Sequence, residues 1–335
     1  MGGRALQNKG IITERKTTGE FNRIALEIQR PLELDLDVMT AVVKCYHSKP
    51  DHGDLDLLIK IDHEFYNSGV NLKEYIEETY NPRAINSNGS VLSFDYDNFQ
   101  IDFIPMKESN WRTAQVYFSY DPLGNAMGKS FHKMNLSYGW DGLKFKYRNF
   151  NGRNSHDIII SKDPRKIFEF GGFDYDRYLK GFETIEEIFD FIIDGKYFNV
   201  ETFKMENLNH IDKKRNRKRK SYHEFLKYVE EKGINKSYQF KNKLYYAPMI
   251  NDFFPEADFF NKLAALDEKN AINATLHDKL NGRIIMKWIP GLKGKELGDA
   301  MNNFRNALGD NYNEFILNHS SDEIQKRFLE IYGKK

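Results

Sequence analysis

Short apolar runs alternate with turn-forming residues over the first half of the chain, from Val42 to about Tyr147. Runs of this kind, rich in β-branched and aromatic side chains, are typical of strands. The pattern predicts a sheet with strands at Leu55–Ile59, Val91–Phe94, Phe99–Ile104, Gln115–Phe118 and Leu143–Tyr147. The stretches around residues 24–44 and 71–80 carry apolar side chains at helical spacing, so the fold class predicted for this half is α+β.

After about Gly181 the pattern changes to helical periodicity. Thr184, Ser221 and Ser320 each stand three positions before a Glu and just before a run with apolar residues three and four apart. A Ser or Thr followed by Glu at this spacing is the capping-box signature of a helix start. The sequence therefore predicts two domains, a sheet-containing one over residues 1–180 and a mainly helical one over residues 181–335.

Composition changes this picture little. The chain has 335 residues, 40% of them hydrophobic, and 50 basic against 49 acidic side chains, so it should fold and its net charge names no partner. The single cysteine, Cys45, excludes an intramolecular disulfide framework and a multi-cysteine zinc site. Because the sequence has neither a long apolar run nor a secretory signal pattern, we expect a cytoplasmic protein with no membrane partner.

The clearest chemical signal is a pair of aspartates, Asp54 and Asp56, at the start of an apolar strand. Residues two apart on a strand project from the same face, so the two carboxylates would lie side by side and repel. Divalent cations with oxygen ligands offset such repulsion. Taken alone, the pair is equally compatible with a solvated strand end.

A third aspartate, Asp102, lies inside the β-prone run Phe99–Ile104. An inward carboxylate there is costly unless it is paired or bound to metal. Three carboxylates on two strands suit the two-ion arrangement used for in-line attack on a phosphoryl group. We therefore predict that Asp54, Asp56 and Asp102 hold two Mg²⁺ ions, with Mn²⁺ as an alternative, and that Asp102 orients or deprotonates the nucleophile.

These residues resemble the DNA polymerase beta superfamily of nucleotidyltransferases, whose pattern includes a Gly-Asp-x-Asp strand and a later strand with a third Asp. Gly53-Asp54-Leu55-Asp56 and Gln100-Ile101-Asp102 match those strands. Tyr117-Phe118-Ser119-Tyr120-Asp121 is similar to the nucleotide-binding turn of the family X polymerases, one residue short. The likeness covers roughly residues 1–180.

The resemblance implies a polymerase beta-like palm with a mixed or antiparallel sheet. It also implies that Gly53 lies beside the nucleotide, that Tyr117 and Phe118 pack against its sugar, and that Asp121 lies beside its base. Tyr117 and Phe118 are equally compatible with a place in the sheet core. Gly124 stands where the family has an Asn that touches the base edge, so base discrimination by that helix is not implied.

The glycine pair that the family carries about ten residues before its first Asp is missing from this chain. We predict that Gly2, Gly3 and Arg4 serve the triphosphate instead, because backbone amides and a guanidinium suit phosphate oxygens. Residues 11–45 would then form an inserted excursion. The alternative is that the two glycines belong to a flexible chain end.

A basic run precedes a predicted helix start in the second half. It concentrates seven positive charges in eight positions, at Lys213, Lys214, Arg215, Arg217, Lys218, Arg219 and Lys220. Such a run suits salt-dependent contact with a nucleic-acid backbone, and a solvated loop or a nuclear import signal are the alternatives. Residues 291–298 resemble a C-terminal segment of bacterial CCA-adding enzymes and poly(A) polymerases.

The function predicted is transfer of a nucleoside monophosphate from an NTP or dNTP to a nucleic-acid 3′-hydroxyl, with release of pyrophosphate. DNA, RNA or a tRNA-like end would be the acceptor. Two alternatives stay open: nucleotidylation of a protein or small molecule, and a non-catalytic nucleic-acid-binding protein on a degenerate core.

Overall fold

A computed structural model describes residues 3–333, without the side chains of Tyr66 and Asn154. The fold is mixed α/β, with a mixed sheet and a helical C-terminal part. The strands are β1 (Lys16–Thr17), β2 (Thr40–Val42), β3 (Asp51–His52), β4 (Asp54–Ile61), β5 (Ile85–Asn88), β6 (Val91–Tyr96), β7 (Phe99–Lys107), β8 (Leu136–Gly139), β9 (Gly142–Arg148) and β10 (Asn154–Ser161).

Helices flank the main sheet and make up most of the later chain. They are α1 (Thr18–Leu36), α2 (His63–Asn67), α3 (Leu72–Tyr80), α4 (Trp111–Phe118), α5 (Leu123–His132), α6 (Pro164–Gly171), α7 (Tyr175–Lys180), α8 (Ile185–Asp194), α9 (His210–Asn216), α10 (Lys220–Glu231), α11 (Ala247–Phe253), α12 (Phe259–Lys279), α13 (Gly282–Trp288), α14 (Gly294–Leu308), α15 (Tyr312–Asn318) and α16 (Ser321–Tyr332). Among the described residues, no helix has both the length and the apolar character needed to cross a membrane.

The chain divides into two compact units. The first runs to Lys146 and resumes over Ile158–Ala257, and the second comprises Tyr147–Asp157 and the chain from Asp258 onward. Residues 181–257 thus pack with the sheet-bearing part, so the packing division does not fall at residue 180. The assignment of catalysis to residues 1–180 and of nucleic-acid binding to residues 181–335 stays a prediction.

The main sheet has the strand order β2-β4-β7-β6-β5. Strands β4 and β7 are parallel, and the other neighbours are antiparallel, so the sheet is mixed, which is one of the two arrangements that the resemblance implies. Side chains of β4 alternate between the two faces. Leu55, Leu57 and Ile59 enter the core under α1 and α3, whereas Leu58 joins a smaller apolar cluster with Ala114 of α4.

Four of the five predicted strands are present, as β4, β6, β7 and β9. The predicted strand at Gln115–Phe118 is wrong, because this stretch is the end of α4. Ala114 and Val116 are buried there, and a short apolar run has the same composition in a buried helix as in a strand.

The expected helix over residues 24–44 begins earlier and ends earlier, as α1. Thr17 and Glu20 form a complete capping box at its start, and Asp37 adopts a left-handed conformation after its last residue, Leu36. The chain then returns as β2 along the edge of β4. Helix α1 and strand β2 therefore pack on the main sheet and at its edge, and the reading of residues 11–45 as an insertion stays a prediction.

Of the three predicted capping boxes, Ser320 forms a complete one at the start of α16. Thr184 accepts the backbone amide of Glu187 at the start of α8. The third prediction is wrong, because α10 begins at Lys220 and the Ser221 hydroxyl donates to a carboxylate elsewhere in the chain.

The second compact unit has its own core, built from α12–α16. Its most buried side chains include Ile285, Phe304, Ile316 and Phe328. Within the same unit, the Tyr147 hydroxyl donates to the carbonyl of Leu266, at 3.1 Å. The short segment Tyr147–Asp157 is thereby held to the long helix α12.

Candidate metal centre

The parallel pairing of β4 and β7 brings the three predicted aspartates together. Asp56 lies directly opposite Asp102, and Asp54 lies opposite Gln100. One carboxylate oxygen from each of Asp54, Asp56 and Asp102 lies within 4.8 Å of the other two. Spacings of this size let several carboxylates contact a shared hard cation such as Mg²⁺.

The cluster is half-buried, and its charges oppose one another. Burial, and then the charge of Asp54, raise the pKa of the Asp102 carboxyl to about 6, against hydrogen bonding by Ser93 and Gln100, which lowers it. Burial, and then the charges of Asp54 and Asp102, raise the pKa of Asp56 well above its usual range. Crowding of this kind is unfavourable without a compensating positive charge.

Gly3 approaches the cluster through its backbone. Its amide donates to Asp54 Oδ2 at 3.2 Å, and the Thr13 hydroxyl donates to its carbonyl at 2.8 Å. Gly3 has a φ of +80°, and a Cβ at this position would come within 2.4 Å of the Gly53 carbonyl oxygen. Only glycine fits this contact, which fixes the N-terminal segment against the start of β4.

The other two residues predicted to bind the phosphates are Gly2 and Arg4. Gly2 lies outside the described residues. Arg4 is exposed and has no ion-pair partner within residues 3–333. Because the Gly3 amide is already engaged by Asp54, Arg4 is the group in this segment that stays open to a phosphate.

Gln100 contacts the cluster directly, although the sequence did not predict it as a site residue. Its Nε2 donates to both oxygens of Asp102, at 2.9 and 3.0 Å, and its Oε1 accepts the Ala5 amide at 2.8 Å. The side chain is only 2% exposed. Its position two residues before Asp102 on the same strand was a usable signal, because both side chains share a face.

Two cations near the cluster were also missed. Lys49 and Arg15 both lower the pKa of Asp54, against the larger effect of burial. Arg15 is anchored by Asp51, at 2.6 Å. Arg15 lies in the connection before β1 and Lys49 in the connection before β3, where no local pattern distinguishes them from ordinary surface cations.

Tyr117 and Phe118, the pair predicted to pack against the sugar, have different surroundings in the structure. Phe118 packs into the apolar cluster of Leu58 and Ile104, which agrees with the sheet-core alternative. The Tyr117 ring instead meets the Tyr138 ring edge-on at 5.3 Å and lines a cavity. Tyr117 is thus the member of the pair that a ligand can reach.

Asp121 is exposed and links the sheet-bearing region to the basic run. Its carboxylate accepts the Ser221 hydroxyl, and it lies 3.7 Å from Arg219 Nε. Its charge also raises the pKa of Asp56. The charge of Asp121 therefore acts on the acidic cluster. Its side chain is held by Ser221 of α10 and by Arg219 in the turn before that helix.

The basic run is not a solvated loop, because it spans α9, a turn and the start of α10. Lys213 donates to the Glu206 carbonyl at 3.0 Å, and Lys220 pairs with Glu224 at 3.3 Å. Arg215 lines the same cavity as Tyr117. The exposed cations of the run that have neither an ion pair nor a side-chain hydrogen bond among the described residues are Lys214, Arg215, Arg217 and Lys218.

Neither the models of known protein families nor the curated proteins give a match to this sequence. The resemblance to the polymerase beta superfamily therefore rests on the residues described above, and membership of that superfamily stays a prediction.

Proposed function

We propose that the protein is a metal-dependent nucleotidyltransferase that moves a nucleoside monophosphate from a triphosphate to the 3′-hydroxyl of a nucleic acid, with release of pyrophosphate. The observation that carries the proposal is the convergence of Asp54, Asp56 and Asp102 from two adjacent parallel strands. A salt bridge would have satisfied these carboxylates structurally, yet within residues 3–333 none of the three has an ion-pair partner within 4.0 Å.

The residues present fit a divalent ion. The donor set consists of three carboxylates, and hard cations such as Mg²⁺ prefer oxygen ligands of this kind. Two such ions would lower the pKa of the attacking hydroxyl and neutralise charge on the triphosphate. Mn²⁺ is the alternative ion, because it accepts the same ligands.

The side chains around the cluster have distinct roles in this proposal. Gln100 holds Asp102 in one orientation, so that Asp102 orients the incoming hydroxyl or accepts its proton. The Gly3 amide holds Asp54, and Arg4 supplies a guanidinium for the phosphates. Lys49 adds positive charge beside the same carboxylates.

The choice of a nucleic acid as acceptor is supported by the basic run. Its cations lie on α9 and the following turn, and Arg219 of that run pairs with Asp121, whose charge acts on Asp56. A polyanionic acceptor bound along these cations would therefore lie near the acidic cluster.

An incubation with labelled nucleoside triphosphates, Mg²⁺ and a panel of single-stranded, primer-template and tRNA-like acceptors tests the proposal. We expect extended products on a gel for the wild type and none for Asp54→Asn or Asp56→Asn. Asp252→Asn, an exposed aspartate on α11, serves as the matched control and should keep full activity. Activity that survives in Asp56→Asn would overturn the proposal, and label on a protein or small molecule would favour the alternative acceptors.

A further inference from the structure

A cavity of about 390 Å³ lies beside α5, and none of the three clustered aspartates lines it. Its walls come from the end of α4, from α5, from β8 and from residues 202–215, all within the first compact unit. This volume lies in the range of roughly 300–1,000 Å³ that is typical of small-molecule sites. The side chains that matter for its chemistry are Tyr117, Asn125, Lys129, Lys133, Asp212 and Arg215.

The cavity wall carries an excess of positive charge. Lys129, Lys133 and Arg215 face a single carboxylate, Asp212. Lys133 and Arg215 are exposed, and neither has an ion-pair partner among the described residues. An anionic ligand would therefore be attracted to this wall.

Lys129 is the buried member of this group. It is 9% exposed, its Nζ is 3.8 Å from Asp212, and it lies 5.3 Å above the centre of the Tyr222 ring. A separation of 3.8 Å is longer than a hydrogen bond, so Asp212 does not saturate the ammonium donors. Burial lowers the pKa of Lys129, and the charges of Arg215 and Arg219 act in the same direction, while Asp212 raises it. A phosphate oxygen within reach would supply the missing acceptor.

Asn125 and Tyr138 line the cavity, and each carries a polar atom that has no hydrogen-bond partner among the described residues. Both atoms, Asn125 Oδ1 and the Tyr138 hydroxyl, are closed to solvent. A ligand in the cavity would therefore meet the cations of the wall and the Tyr117 ring first. A free phosphate would occupy only a part of the cavity, whereas a nucleotide adds a base with polar edges and an aromatic face suited to stacking on Tyr117.

We propose that this cavity binds one nucleotide of a single-stranded nucleic acid, with its phosphate on Lys129 and Arg215 and its base beside Asn125 and Tyr117. The strand continues over the exposed cations Lys214, Arg217 and Lys218 of the basic run, to which Arg215 also belongs. The inference rests on the proposed function only in taking a nucleic acid as the ligand.

Fluorescence polarisation with labelled single-stranded DNA and RNA oligonucleotides in EDTA tests this site without any metal. We expect Arg215→Gln and Lys133→Gln each to weaken binding about three- to ten-fold and to lower the slope of log affinity against log salt by about one. Lys227→Gln on α10, where the lysine is exposed and pairs with Glu231, is the matched control and should bind as the wild type does.

Unchanged affinity and salt slope in both Arg215→Gln and Lys133→Gln would overturn the proposal. Displacement of the oligonucleotide by inorganic phosphate as effectively as by nucleoside monophosphates would also overturn it, since a simple anion site would then suffice. A wild type that turns over triphosphates but binds no oligonucleotide would overturn the proposed nucleotide site in the cavity. The same result would not contradict the proposed metal-dependent transfer. Oligonucleotide binding that depends on Arg215 without any turnover supports the cavity and counts against the proposed function.

Discussion

Gln100 donates from one amide nitrogen to both carboxylate oxygens of Asp102, at 2.9 and 3.0 Å. The other end of the same side chain accepts the Ala5 amide. One buried amide thus connects the N-terminal segment, which also carries Gly3 and Arg4, to the carboxylate expected to act on the nucleophile. A group that orients a metal ligand in this way contributes to metal affinity without touching the ion.

We predict that Gln100→Leu lowers kcat by about 10- to 100-fold and weakens Mn²⁺ binding by a similar factor, because Asp102 loses its orienting donor. Steady-state kinetics and calorimetric Mn²⁺ titration measure the two effects. Gln239→Leu, at an exposed position outside the helices and strands, is the control and should change neither. A loss of thermal stability with normal metal affinity would show that Gln100 is purely structural.

The repulsion within the cluster gives a second prediction. In EDTA, Asp56→Asn should raise the free energy of unfolding by on the order of 1 kcal/mol, because it removes one charge from three crowded carboxylates. Mn²⁺ should stabilise the wild type, by about 2.7 kcal/mol at a concentration 100 times its Kd, and should stabilise the variant far less. Thermal denaturation with and without Mn²⁺ checks both expectations, and equal metal stabilisation of the two proteins would contradict the assigned ligands.

Gly3 and Gly10 form a matched pair for testing the N-terminal segment. Both have positive φ, but a Cβ on Gly3 would meet the Gly53 carbonyl, whereas a Cβ on Gly10 would meet nothing within 4 Å. Gly10→Ala should therefore cost only the backbone strain, about 1 kcal/mol. Gly3→Ala should in addition displace the amide from Asp54 and lower kcat/KM for the triphosphate by about ten-fold or more. Equal kinetics for the two variants would remove Gly3 from the site.

Gly124 and Gly128 form a similar pair on α5. A Cβ on Gly124 would lie 2.3 Å from the Tyr117 carbonyl oxygen, while a Cβ on Gly128 would make an ordinary contact at 3.6 Å. We expect Gly124→Ala to destabilise the protein by about 1–3 kcal/mol, because α4 and α5 must separate. Gly128→Ala should be neutral or stabilise by up to about 1 kcal/mol, since alanine favours the helix. Urea unfolding midpoints distinguish these outcomes.

The three aspartates of the acidic cluster could be predicted from the sequence because the patterns that mark their two strands are local. Alternation along a strand places Asp54 and Asp56 on one face, and the β-prone run around Asp102 marks a second strand. Only the parallel pairing of the two strands had to be supplied by the fold. The strands of the first half and the helical later part could be predicted for the same reason, since their periodicities are local. The resemblance left the sheet as either mixed or antiparallel.

Contacts between distant positions could not be predicted in this way. Asp121 meets Arg219 and Ser221, and Gln100 meets Ala5, only because the chain folds back on itself. The Gln115–Phe118 run was misread because its burial comes from packing on the sheet, which hides the difference between a strand and a short helix. Lys49 and Arg15 lower the pKa of Asp54 because the loops that carry them lie near the cluster. The sequence contains no periodic signal for the position of these loops.

The path of the chain between the two compact units limits where the protein can be divided into fragments. The backbone passes from one unit to the other at Lys146, at Asp157 and at Ala257, and the first two of these junctions lie inside β9 and β10. A fragment ending at Ala257 would keep Tyr147 but lose its hydrogen-bond acceptors on Leu266 and Asp267. Expressing the first unit alone would therefore require two changes: a short linker in place of the eleven residues Tyr147–Asp157, and truncation of the chain after Ala257.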